Sequence, residues 1–124
     1  LVHFSDAAPR TVDPAYARPD DQVGFADGFP FLLISEGSLG DLNGRLDDPL
    51  PMNRFRPNLV VQGTPPYAED GWAEIRVGDL TFRVVKPCAR CSITTVEQTT
   101  GQVGKEPLRT LARYRRAGGK VMFG

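Results

Sequence analysis

The sequence predicts a mainly β protein: an antiparallel barrel, closed or partly closed, that carries two short helices. Three observations lead there. Six or seven short apolar runs recur along the 124 residues, each bounded by Pro, Gly, Asn or Asp. The clearest period-2 alternation, over 73–77 and 80–85, is joined by Gly78-Asp79, a two-residue link suited to a primed hairpin turn. Only two windows carry helical spacing, and they do not alternate with strands as βαβ units would.

Composition narrows the class. The length suits one domain able to bury a core without staples. Hydrophobic residues make up 40% and charged residues 24%, and no apolar run approaches the ~20 residues of a membrane span, so a soluble chain is expected. The formal charge is zero, which argues against bulk attraction to nucleic acid. The charges are nevertheless uneven. Residues 1–48 hold nine acids against Arg10, Arg18 and Arg45, whereas 105–120 hold Lys105, Arg109, Arg113, Arg115, Arg116 and Lys120 against Glu106 alone. That basic run reads either as a solvated helix face or as a seat for an anionic ligand or protein partner. Two cysteines do not make an extracellular disulfide framework, so a reducing, cytoplasmic compartment is expected. The first residues lack a basic start followed by an apolar block, so no secretory signal is expected either.

Taken in order, residues 1–24 hold Pro9, Pro14 and Pro19 too closely spaced for regular structure, and read as an irregular arm, or the end of a preceding domain, after a short strand at 1–4. Phe25-Ala26-Asp27-Gly28-Phe29-Pro30 is a turn signal, and Phe31-Leu32-Leu33-Ile34 is short enough for a buried strand. Ser35 or Ser38 can cap a helix with Leu39, Leu42 and Leu46 on one face. Gly40 and Gly44 each weaken it by roughly 1 kcal/mol relative to Ala, and Asp48-Pro49-Leu50-Pro51 stops it.

Arg54-Phe55-Arg56-Pro57-Asn58 then leads into a strand at 59–62. If extended, it puts both arginines on one face and Phe55 toward the core. Two guanidiniums on one face suit an anion, or surface ion pairs with the acidic half. Gly63-Thr64-Pro65-Pro66 is a loop, and Trp72 leads into the hairpin as a core or edge anchor. A strand is expected at 93–96, a turn at Thr99-Thr100-Gly101, and a helix opened by Pro107 with Leu108, Leu111 and Ala112 buried. Gly118-Gly119 is expected to end that helix before a last strand at 121–123.

The chemistry concentrates in Lys86-Pro87-Cys88-Ala89-Arg90-Cys91-Ser92, at the end of the best strand. A thiolate is a protein's softest ligand, and Arg90 and Lys86 place positive charge beside it. A metal or redox role, a local disulfide, half of a zinc site and plain packing all remain open on spacing alone. Structural zinc needs four ligands, and the soft candidates are Cys88, Cys91 and the lone His3.

Several motifs in order carry a family resemblance: the Phe25–Pro30 turn, Ser38-Leu39 through Leu42-Asn43, Arg54-Phe55-Arg56-Pro57-Asn58, Glu69-Asp70-Gly71-Trp72, Pro87-Cys88-Ala89-Arg90-Cys91 and Thr100-Gly101. Over 20–124 the chain resembles the MOSC domain, the C-terminal domain of molybdenum-cofactor sulfurases, and most of all its amidoxime-reducing branch. The resemblance implies a MOSC-type β-barrel over 25–124, either whole or truncated at both ends, binding a molybdopterin-type molybdenum cofactor. It puts Cys91 as the metal ligand and catalytic residue, Asp27 and Gly28 near the pterin, and Arg54, Arg56 and Asn58 on the cofactor. Cys88 is then a supporting residue beside the site and Arg90 supplies positive charge.

The activity implied is that of a molybdenum-dependent oxidoreductase in the complete protein, reducing small N-hydroxylated substrates by oxygen-atom transfer. Its electrons would come from a flavoprotein reductase and a cytochrome b5-like or ferredoxin-like carrier. Two other functions stay in view. One is a sulfur-carrier or cofactor-docking domain of the sulfurase type; the other is a cofactor-free β module that binds a protein partner.

Overall fold

A computed structural model describes residues 10–24, 26 and 28–124. The chain divides into two compact units, Leu1–Phe31 and Leu32–Gly124. In the first, Thr11 and Gln22 form an isolated antiparallel bridge, Val12 and Val23 are buried, and the Arg10 guanidinium donates to the Ala26 carbonyl at 2.7 Å. The expected strand at 1–4 lies outside the described residues, as do His3 and Asp27.

The second unit begins with β1 (Leu33–Ser35), which runs into α1 (Glu36–Asn43). Ser35 is the N-cap, its hydroxyl accepting from the Ser38 amide at 3.0 Å. After α1 the chain makes a 3-10 turn at Met52–Phe55 and enters β2 (Leu59–Val61), parallel to β1 with Leu33 opposite Leu59. Parallel neighbours need a crossover between them, and α1 with the turn after it supplies that crossover here. The expected all-antiparallel connection is corrected here: the apolar runs at 31–34 and 59–62 are not hairpin partners, because α1 carries the chain across.

β3 (Glu74–Val77) and β4 (Leu80–Arg83) form the predicted hairpin around Gly78-Asp79, with Val77 opposite Leu80. The strand expected at 93–96 is instead a 3-10 helix, Ser92–Thr95. Thr94 and Thr95 turn their hydroxyls back onto the carbonyls of Cys91 and Ser92, at 3.0 and 2.7 Å, an alternative to ladder pairing that Thr offers readily. α2 (Leu108–Leu111) starts after Pro107 as expected. Gly118-Gly119 does not end it. Both glycines have positive φ, 55° and 77°, and form the primed turn between β5 (Arg116–Ala117) and β6 (Lys120–Val121).

The strands thus make three two-stranded sheets, and no closed barrel exists among the described residues. The result is a small mixed unit with short sheets and few helices. Its core is Ile34, Leu42, Phe55, Leu111 and Phe123, from β1, α1, the 3-10 turn at Met52–Phe55, α2 and the chain end. Phe55 and Phe123 are in ring contact at 4.5 Å between centroids.

Candidate functional site

Residues Cys88-Ala89-Arg90 lie antiparallel to the chain end. The Cys88 amide donates to the Gly124 carbonyl at 2.6 Å, the Phe123 amide to the Cys88 carbonyl at 3.0 Å, and the Arg90 amide to the Val121 carbonyl at 2.8 Å, with Ala89 paired to Met122. The chain end in turn passes close to β1. A Cβ on Gly124, whose φ is +83°, would lie 2.8 Å from the Leu33 carbonyl oxygen, so glycine alone fits this passage. The cysteine segment is therefore held by backbone to a strand whose Phe123 fills the core.

Arg90 makes the second attachment. One guanidinium nitrogen donates to the Cys88 sulfur at 3.1 Å and another to the Phe55 carbonyl at 2.7 Å, while the group sits 5.7 Å from the centre of the Phe55 ring. Its Nε is buried with no hydrogen-bond partner among the described residues. Two stretches 35 residues apart in sequence are thereby pinned together. The expected extended form of Arg54-Phe55-Arg56 is corrected: Phe55 does enter the core, but it ends a 3-10 turn, and Arg56 follows in the left-handed region at φ 54°. A tight turn rather than a pleat sets the direction of the two arginines. Arg54 and Arg56 form no ion pair among the described residues, so ion pairing does not account for them.

Cys91 is exposed, and its sulfur makes no hydrogen bond among the described residues. Both cysteines are free thiols, and no three His, Cys, Asp or Glu side chains among the described residues cluster as a metal site would require, so the zinc reading finds no support there. The Asn58 carboxamide oxygen accepts from the Leu32 amide at 2.9 Å, and the Asn58 and Leu59 amides donate to the Leu32 carbonyl, which sets the start of β1 against β2. An open groove of about 530 Å³ lies beside Arg56, lined by Met52, Asn53, Arg56, Pro57 and Gln98. Gln98 closes one wall by donating to the Asn53 carbonyl at 2.6 Å. Next to it, the Thr99 and Thr100 amides donate to Glu97 and lower that carboxyl to about 2. Gly28 belongs to the other unit.

Sequence reasoning missed a polar cluster in this unit. Ser35, Ser38 and Glu69 are buried together: Ser38 donates its hydroxyl to Glu69 at 2.6 Å and accepts from the Tyr67 amide at 2.7 Å. The other Glu69 oxygen is buried without a partner among the described residues. The Tyr67 hydroxyl donates to Asp41 at 2.8 Å and lies 2.8 Å from the Tyr114 hydroxyl, and Asp70 takes a bidentate pair from Arg115. Burial pushes Tyr67 and Tyr114 up, while the Arg45 hydrogen bond holds Asp41 down against its own burial. The signal in the sequence was Glu69-Asp70-Gly71 itself: acids next to a glycine look solvated until a fold puts a serine cap beside them.

The MOSC domain family pattern matches residues 20–124. The chain is 48% identical over 120 residues to the human mitochondrial amidoxime-reducing component 1, covering 93% of this chain and 35% of that protein. It is 44% identical over 114 residues to the rice molybdenum cofactor sulfurase, covering 83% of this chain and 14% of that protein. The chain thus spans about a third of the first relative's length and about a seventh of the second's. No helix among the described residues is long and apolar enough to cross a membrane.

Proposed function

This chain belongs to the MOSC domain family, and from that premise we propose that residues 25–124 are the molybdenum-cofactor-binding domain of a reductase of N-hydroxylated compounds. One observation carries the reading. Arg90 ties Cys88 to the Phe55 carbonyl and so holds the cysteine stretch against the Arg54–Asn58 stretch, while the Cys91 sulfur stays exposed and unengaged.

The residues present fit such a group. A soft, free cysteine sulfur suits a high-valent metal, and Arg54 and Arg56, without carboxylate partners among the described residues, suit an anionic pterin tail of the molybdopterin type. The buried, unpartnered Nε of Arg90 leaves one more donor in the same region. Cys91 is the metal ligand in this reading. Asn58 has spent its carboxamide oxygen on Leu32, so only its NH₂ remains to donate. Cys88, clamped by Arg90, positions the loop rather than binding metal. Asp27 and Gly28 keep their place in the proposal beside the pterin.

The cofactor, when bound, supplies the oxygen-atom transfer that turns an N-hydroxylated compound into an amine or amidine. Reduction of N–OH to N–H consumes two electrons and two protons and releases water. A flavoprotein reductase with a cytochrome b5-like or ferredoxin-like carrier is the donor in this proposal. In this proposal the short sheets are part of a MOSC-type barrel. Cytoplasmic placement rests on the two free thiols alone.

The sulfurase relative favours a second reading, a domain that docks the cofactor for sulfur delivery. One experiment separates the two. In the complete protein purified with cofactor, Cys91→Ala should lose nearly all molybdenum and N-hydroxylamine reduction, while Cys88→Ala keeps most of its metal. Retention of molybdenum by Cys91→Ala would overturn the ligand assignment. A persulfide on either cysteine with no reductase activity would establish the sulfurase-type role instead.

A further inference from the structure

We propose that β3 is the edge at which two copies of this chain pair, antiparallel about a twofold axis at Ile75, with Glu74 of each copy opposite Arg76 of the other. β3 and β4 form a two-stranded sheet, so each strand has an edge that the other does not cover. The ladder fixes which backbone groups line that edge. The Val84 amide donates to the Ala73 carbonyl at 2.9 Å, so Ala73 and Val84 are a hydrogen-bonded pair, and by alternation Ile75 with Phe82 and Val77 with Leu80 are bonded pairs as well. The amides and carbonyls of Glu74 and Arg76 therefore point outward from the hairpin, and among the described residues nothing bonds to them.

The charges on this edge select one register. Centred on Ile75, it sets Glu74 against Arg76 of the second copy and Arg76 against its Glu74, so each pair exchanges backbone hydrogen bonds in both directions and joins opposite charges on one face. A one-residue slip would set outward-pointing groups against inward-pointing ones and mix the two faces. A two-residue slip would oppose Glu74 to Glu74 or Arg76 to Arg76, which is repulsive. Both side chains are exposed, neither forms an ion pair among the described residues, and Arg76 spends only its Nε, on the Gly78 carbonyl at 3.0 Å. The β4 edge lacks this property, because its outward residues, Thr81 and Arg83, can set arginine only against threonine or arginine.

A lone hairpin is marginal in water, and further strands over an apolar face stabilise it. Ile75, Val77, Leu80 and Phe82 share one face by the register, and Val77 and Leu80 are left 49% and 65% exposed. Pairing through β3 makes a continuous sheet in the order β4-β3-β3-β4 and merges the two apolar faces, with Ile75 beside Ile75 of the second copy. The contact is isologous and closes at the dimer, whereas β3 of one copy on β4 of the next would leave an edge open at each end and keep growing. So short an edge buries less than a standard interface, and the dimer is accordingly weak and concentration-dependent.

The test is sedimentation velocity on the complete protein across a concentration series, in which wild type should pass from monomer to dimer. Glu74→Arg or Arg76→Glu alone sets like charges at both ends of the ladder and should raise the dimer dissociation constant at least about tenfold. An equimolar mixture of the two variants restores opposite charges at both contacts and should dimerise about as tightly as wild type, a recovery that misfolding could not produce. Equal dissociation constants for wild type and the single variants would overturn the proposal, and so would a mixture no tighter than its components. Assemblies that grow past the dimer would mean open-ended pairing of β3 with β4 and overturn it too. A complete protein that stays monomeric throughout would assign the edge to another segment of its own chain, with the same consequence. These readouts need neither molybdenum nor turnover, so the reductase reading stands or falls separately.

Discussion

Arg90 spans the site as a single side chain. Its guanidinium meets a sulfur, a backbone carbonyl and an aromatic ring, and its amide is part of the ladder to the chain end. Deleting a charged donor from a partly buried carbonyl leaves that carbonyl unpaired, at a cost well above the mean hydrogen bond. Arg90→Met should therefore lower stability by roughly 2–3 kcal/mol in denaturant unfolding. An unchanged midpoint would mean that the clamp is ornamental. The sequence puts Arg90 beside the thiols as a positive charge, but only the tertiary structure aims it at Phe55.

Among the elements, α1 shows how the fold reverses a local preference. A glycine inside a helix costs about 1 kcal/mol relative to Ala, so both Gly37 and Gly40 look like positions to improve. Their surroundings differ. A Cβ on Gly37 would run into the Thr64 carbonyl and lie 3.2 Å from Pro65 and Pro66 backbone atoms, whereas nothing lies within 4 Å of one on Gly40. Gly40→Ala should stabilise by about 0.5–1 kcal/mol and Gly37→Ala destabilise by about 1–3 kcal/mol, read as opposite shifts of Tm. The Gly118-Gly119 turn teaches the same lesson, because two glycines can end a helix or close a hairpin and local sequence does not choose between them.

Across the whole molecule, ionisable groups tie the helices to the loops, so stability follows pH at both ends. Asp41, lowered by its Arg45 hydrogen bond, and Glu106, lowered because hydrogen bonds from Thr110 and Arg109 together outweigh its burial, are depressed in the folded state. Their contribution is present above the ordinary carboxylate value and is lost as pH falls through the lower folded values, that is, below about pH 4. Tyr67 and Tyr114 are raised, mainly by burial, so their contribution is full below the ordinary tyrosine value and declines above about pH 10. A Tm profile should be flat between and fall on both sides. Asp41→Asn should soften the acid limb and cost on the order of 1 kcal/mol at neutral pH, the scale of a partly exposed pair. An unchanged acid limb in that variant would remove Asp41 from the account.

Residue type and order by themselves determined the thiol stretch, the arginine stretch, a serine cap at Ser35 or Ser38, the hairpin at Gly78-Asp79 and the family to which they belong. These are local: a cap needs a hydroxyl three residues from an amide, and a primed turn needs a residue that tolerates positive φ. Tertiary structure alone decided that β1 and β2 run parallel, that Thr94 and Thr95 wind into a 3-10 turn, and that Arg90 reaches Phe55. Each of those depends on what stands opposite in space, and the burial of Phe55 against Phe123, not any local preference, sets which segments meet.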